Sequence, residues 1–98
     1  MNNSFESIKN HLLKQGFKYE GNLFTKTQQR QQLVVVNGQR HQVVQDIKIE
    51  FEYLGDGYIE SADGSREETC GMSLRANGQD LVEVWARDAK EFQQLLSA

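Results

Sequence analysis

The sequence predicts an α+β domain: a single antiparallel, meandering sheet of five to six strands, with N-terminal and C-terminal helices packed on one face. Three observations carry this. Apolar residues recur at helical spacing only at the two ends, as Phe5, Ile8 and Leu12 and again as Phe92, Leu95 and Leu96. Between them the apolar residues alternate with a period of two. Asn37-Gly38 and Asn77-Gly78 then mark tight reversals between the alternating runs.

The first helix is expected over residues 4–15. Asn3 and Glu6 have capping-box spacing, and Gly16 follows Lys14 and Gln15 as a left-handed stop. Phe17, just past that glycine, is expected to fold back onto the helix. Phe17 to Glu20, Gly21-Asn22 and Leu23 to Lys26 read as a short hairpin. Thr27 to Gln32 is polar and glutamine-rich, and reads either as a loop or as an exposed extension of the β-branched run Leu33 to Val36.

His41 to Leu54 is the longest strand-like stretch. Val43, Ile47, Ile49, Phe51 and Tyr53 share one face; Val44, Asp46, Lys48, Glu50 and Glu52 share the other. In Thr69 to Ala76, Cys70, Met72, Leu74 and Ala76 share the apolar face. The following hairpin poses a conflict. A two-residue Asn77-Gly78 turn pairs Met72 with Glu83, whereas adding Gln79 to the loop pairs Met72 with Val84 and Leu74 with Val82, as core burial needs. The core register is preferred, because a one-residue slip turns every side chain to the wrong face. Asp88 and Glu91 cap a closing helix whose stripe is Ala89, Phe92, Leu95 and Leu96. Gly71 is the one glycine outside a turn signal, which predicts a bulge or a close backbone approach.

Ninety-eight residues make one domain, 1–98, with a small core. The polar start after Met1 does not read as a secretory signal, the longest apolar run is four residues, and Cys70 is the only cysteine. A cytoplasmic location is expected. The net charge of −3 divides unevenly. Residues 1–45 carry six Lys or Arg against two acids, and residues 46–68 carry eight acids against two basic residues. Such a split predicts a basic and an acidic side.

Gly55-Asp56-Gly57-Tyr58-Ile59-Glu60 spells the second half of a calcium-binding EF-hand loop, with Asp63 at the final ligand position. The first half fails. Leu54 occupies a position that needs a side-chain oxygen, Glu52 is too long for the first ligand, and the period-two flank is no helix. The expectation is a hairpin turn around Gly55-Asp56-Gly57 and a polar loop from Ser61 to Glu68. Neither a metal nor a cofactor is expected. Cys70, His11 and His41 do not form a ligand set, and Cys70 on an apolar strand face reads as a buried hydrophobe rather than a nucleophile. The glycine-rich phosphate-binding motifs are absent.

Two surfaces remain. The acidic one, Glu50, Glu52, Asp56 and Glu60, suits a basic protein partner. The basic one, Lys14, Lys18, Lys26, Arg30 and Arg40 with Tyr19 and Phe24 as stacking aromatics, suits nucleic acid. The helix–sheet–helix order resembles that of double-stranded RNA-binding domains. Their lysine-rich opening of the second helix is lacking, since that region reads Arg87-Asp88-Ala89-Lys90-Glu91. The expected function is therefore a small non-catalytic protein-binding or adaptor domain, homodimeric in one version, acting through the acidic face or a sheet edge. The alternative is a nucleic-acid-binding domain using the basic N-terminal third.

Overall fold

The computed structural model describes residues 3–97. The elements are α1 (Asn3–Lys14), β1 (Lys18–Glu20), β2 (Leu23–Val36), β3 (Gln39–Glu60), β4 (Arg66–Ala76), β5 (Gln79–Ala86) and α2 (Ala89–Ser97). The five strands form one antiparallel sheet in the order β1-β2-β3-β4-β5. This is the predicted α+β meander with its two terminal helices.

Both helices lie over one face of the sheet. Phe5, Ile8 and Leu12 of α1 and Phe92 of α2 meet Phe24, Phe51, Cys70, Met72, Val84 and Ala86 in the buried core. The aromatic rings interlock, with Phe5 4.4 Å from Tyr53 and Phe51 5.2 Å from Phe92 between centroids. Gly16 (φ 93°) ends α1 as expected, and the Phe17 N–H donates to the Leu12 carbonyl at 3.1 Å, which tucks Phe17 under the helix. At the other end of α1, the Asn3 N–H donates to the Glu68 carboxylate and the Ser4 hydroxyl to the Glu68 carbonyl. The helix start is thereby tied to β4. In α2, the Glu91 N–H donates to Asp88 at 2.8 Å, which is the first half of the predicted capping box, while the Glu91 carboxylate accepts from the Arg87 N–H at 3.1 Å, one residue before the expected partner. Leu95 does not join the buried stripe; it is 44% exposed, while Leu96 packs on the core.

The two Asn-Gly turns take left-handed conformations at both positions, as primed hairpin turns need. At the second, the conflict between turn and core is resolved without sacrificing either. Ala76 pairs with Gln79 and Arg75 with Asp80, in the turn's register. Leu74 then pairs with Val82 and Met72 with Val84, in the core's register. Leu81 is the extra residue that absorbs the difference, a β-bulge.

The Gly55-Asp56-Gly57 stretch is not the expected turn. It lies within β3, paired with Gly71, Cys70 and Thr69. A register shift at Leu54, with Gly55 at φ 133°, lets the strand run on to Glu60. The reversal falls instead at Ser61–Ser65, where the Ser61 N–H donates to the Ser65 carbonyl and Ser65 donates to Asp63 through both its N–H and its hydroxyl. The expected loop to Glu68 is shorter, because Arg66 to Glu68 already belong to β4. A glycine that takes positive φ serves a bulge as well as a turn, and short-range turn signals do not separate the two.

Candidate functional site

The glutamine-rich segment is strand. β2 and β3 continue past the rest of the sheet as a two-stranded ribbon. β4 pairs with β3 only as far as Ile49, and β1 pairs with β2 only as far as Thr25. The Asn77 turn still engages Lys48, so from Gln28↔Ile47 to Val36↔Gln39 nine cross-strand pairs stand alone among the described residues. At about 3.3 Å per residue the ribbon projects roughly 30 Å. The radius of gyration is 17.2 Å, against roughly 13 Å for a compact chain of this length.

The ribbon is apolar where it is least covered. Leu33, Val35 and Val44 point to one face and Val36 and Val43 to the other, and all five are exposed, Val35 at 64%. An isolated two-stranded hairpin is marginal in water. Among the described residues, its outer edges also carry unpaired backbone groups from Lys26 to Val36 on β2 and from Gln39 to Ile47 on β3. At the base of the ribbon, on the helix side, the sheet outruns its helices. Phe17, Ile47, Ile49, Phe51, Leu74 and Leu81 line an open apolar groove of about 530 Å³.

The predicted acidic surface is divided. Glu50 and Glu52 lie on the sheet face away from the helices, where Arg75 reaches both and also bonds Asp80 at 2.8 Å. Lys48 adds a contact to Glu50 at 3.6 Å. The bulge at Leu54 turns Asp56 to the helix side, opposite Cys70, where it accepts a hydrogen bond from the Tyr53 hydroxyl. Glu60 pairs with Arg66 at the far end of β3. The structure thus joins Glu50 with Glu52 and sets Asp56 and Glu60 apart from them.

The predicted basic residues are spread as widely. Lys14 ends α1, Arg30 sits mid-ribbon on the helix side, and Arg40 lies near the tip on the opposite face. Lys18, Lys26 and Lys48, with Thr25 and Thr27, surround a shallow hollow of about 430 Å³. The Lys26 ammonium donates to the Gln15 carbonyl at 2.6 Å. The two aromatics proposed as stacking platforms stack on each other, centroids 4.4 Å apart, and Phe24 is fully buried.

Cys70 is buried, as its strand alternation predicts. Burial, with the nearby Asp56 carboxylate, pushes its thiol up to about 12, the reverse of what a thiolate nucleophile needs. Burial and the hydrogen bond to Asp56 likewise raise Tyr53 above the ordinary phenol range. No helix among the described residues is long and apolar enough to cross a membrane. No family model matches the chain, and comparison with curated proteins and with solved structures finds no significant match.

In the sequence the candidate surfaces fall in the charged segments, and the ribbon is legible only as the exposed strand extension that is one of the two expectations for Thr27 to Gln32. The signal was present as Leu33 to Val36 and Val43-Val44 flanking Asn37-Gly38. Those valines have the composition of core strands, and only the sheet's layout shows that none of the described residues lies over them.

Proposed function

We propose that this protein is a non-catalytic protein-binding domain whose contact element is the β2–β3 ribbon. One observation carries the reading: nine strand pairs project beyond the body with both backbone edges open among the described residues and valines exposed on both faces. Open, apolar edges are what partner strands add to, and soluble proteins otherwise blunt or cover them. The acidic residues support the reading less well than the ribbon does, because Arg75 and Lys48 already engage Glu50 and Glu52.

The test is retention of partners on the immobilised full chain, compared with Val35→Lys and Val44→Lys. Both residues lie outside the core, so circular dichroism should still report a folded chain. Loss of bound protein in both variants is the expected result. Retention in both, with loss in Glu50→Lys and Glu52→Lys, would overturn the ribbon in favour of the acidic face.

A second reading has its own observation. A two-stranded ribbon is narrow enough for the major groove of DNA, and this one carries Arg30, Arg40 and several glutamines. Nucleic acid bound through the ribbon would dissociate steeply as salt rises and would weaken with Arg30→Glu.

A further inference from the structure

We infer that the partner of the ribbon is a second copy of this chain, joined through the outer edge of β3 in antiparallel register about a two-fold axis at Val43. This rests on the reading of the ribbon as a protein-binding element and gives it a partner.

The free edge sets the register first. β4 covers β3 from Ile49 onward, and the Asn77 turn closes Lys48 by two hydrogen bonds: the Lys48 N–H donates to the Asn77 side chain and the Asn77 N–H to the Lys48 carbonyl, each at 2.9 Å. The unpaired edge therefore runs from Gln39 to Ile47. Its midpoint is Val43. A second copy laid antiparallel along this edge about that midpoint fills it completely and ends at the Asn77-Gly78 turn without overlapping β4.

The backbone agrees. Because Lys48 directs its N–H and carbonyl outward, alternate residues along the strand do the same. Asp46, Val44, Gln42 and Arg40 thus present their backbone groups to the free edge. About Val43, Arg40 falls opposite Asp46 of the second copy and Gln42 opposite Val44 of the second copy, so donors and acceptors meet in hydrogen-bonded pairs.

The charges select the same register independently. Arg40 and Asp46 are both on the sheet face away from the helices. They lie six residues apart on one strand, roughly 20 Å, so they cannot meet within a chain, and neither has an ion-pair partner among the described residues. The two-fold at Val43 creates two Arg40–Asp46 cross-strand pairs. Moving the axis one residue to Val44 sets Arg40 against Lys48, and moving it to Gln42 sets Arg40 against Val44. The free edge of β2 offers no equivalent, since its only charged residues are Lys26 and Arg30. An isologous contact of this kind closes as a dimer instead of growing into a fibre.

Sedimentation equilibrium on the full chain, from about 1 µM to about 1 mM, tests this with four proteins: wild type, Arg40→Glu, Asp46→Arg and the double exchange. Wild type should be dimeric. Each single reversal turns two attractive pairs repulsive and should weaken association about ten- to thirtyfold, and the double exchange should restore it. Val44→Pro, which removes an outward N–H while sparing the ladder to β2, should abolish the dimer and leave the helical circular dichroism intact. A wild-type monomer throughout this range, or a dimer indifferent to the reversals, overturns the inference. If that monomer still retains another protein in a manner sensitive to Val35→Lys, the ribbon reading survives with a different partner; if it retains none, both fall.

Discussion

Trp85 lies flat against Gly71. A Cβ built on Gly71 would stand 2.7 Å from the indole ring, and one on Gly57 would stand 3.1 Å from it. The two glycines form a backbone trough on the sheet face away from the helices, and the indole fills it while remaining 41% exposed. This is the close approach that a glycine inside β4 predicted. Gly71→Ala should lift the ring and cost about 1–3 kcal/mol. Trp85 is the only tryptophan, so its fluorescence in a urea titration reads both effects: a red-shifted folded spectrum and a lower midpoint. An unchanged spectrum and midpoint would mean that the trough is not needed.

Leu81 should be dispensable. It is the residue by which the turn register and the core register differ. Removing it leaves Ala76 opposite Gln79 and Leu74 opposite Val82 with no bulge between them. We expect the shortened chain to fold with a stability change of about 1 kcal/mol or less, measured by thermal unfolding. A one-residue deletion inside a strand ordinarily inverts its faces, and unfolding of this variant would show that the bulge is required.

The Cys70 thiol should be inert in the folded protein. Alkylation at about pH 8 should proceed at least a hundredfold more slowly than in denaturant, because the nucleophile is the thiolate. The same burial has a pH consequence. A group raised from 9.0 to about 12 on folding stabilises the native state fully below pH 9, and that contribution is lost as pH rises toward 12. Cys70→Ala should flatten this alkaline fall in part, with Tyr53, raised in the same direction, supplying the rest.

On the acid side the sign reverses. Hydrogen bonds from Arg87, at 2.8 Å from Nε, hold Glu91 below the ordinary carboxylate range. Its contribution is present above that range and is lost as pH falls through the depressed value. Glu91→Gln should reduce the acid dependence of the unfolding midpoint. Asp88→Ala, which removes the cap of α2, should cost about 1 kcal/mol at neutral pH.

The sequence by itself determined the element order, the helix stops and the faces of the strands. These follow from local physics: Gly16 accepts a left-handed conformation, Asp88 satisfies a helix N–H, and strict alternation in Thr69 to Ala76 leaves only one way to bury Cys70 and Met72. It even held both halves of the β4–β5 register. Only the tertiary structure decided where strands end. Gly55-Asp56-Gly57 has the composition of a turn, yet the partner residues Thr69 to Gly71 hold it in the ladder, because a positive φ at Gly55 serves a bulge equally well. Leu33 to Val36 has the composition of a core strand, yet among the described residues no element besides its partner β3 reaches it. Burial depends on which residues arrive from elsewhere in the chain. The exposed ribbon, with Arg40 and Asp46 too far apart to meet within one molecule, is legible only once the lengths of β1 and β4 are known.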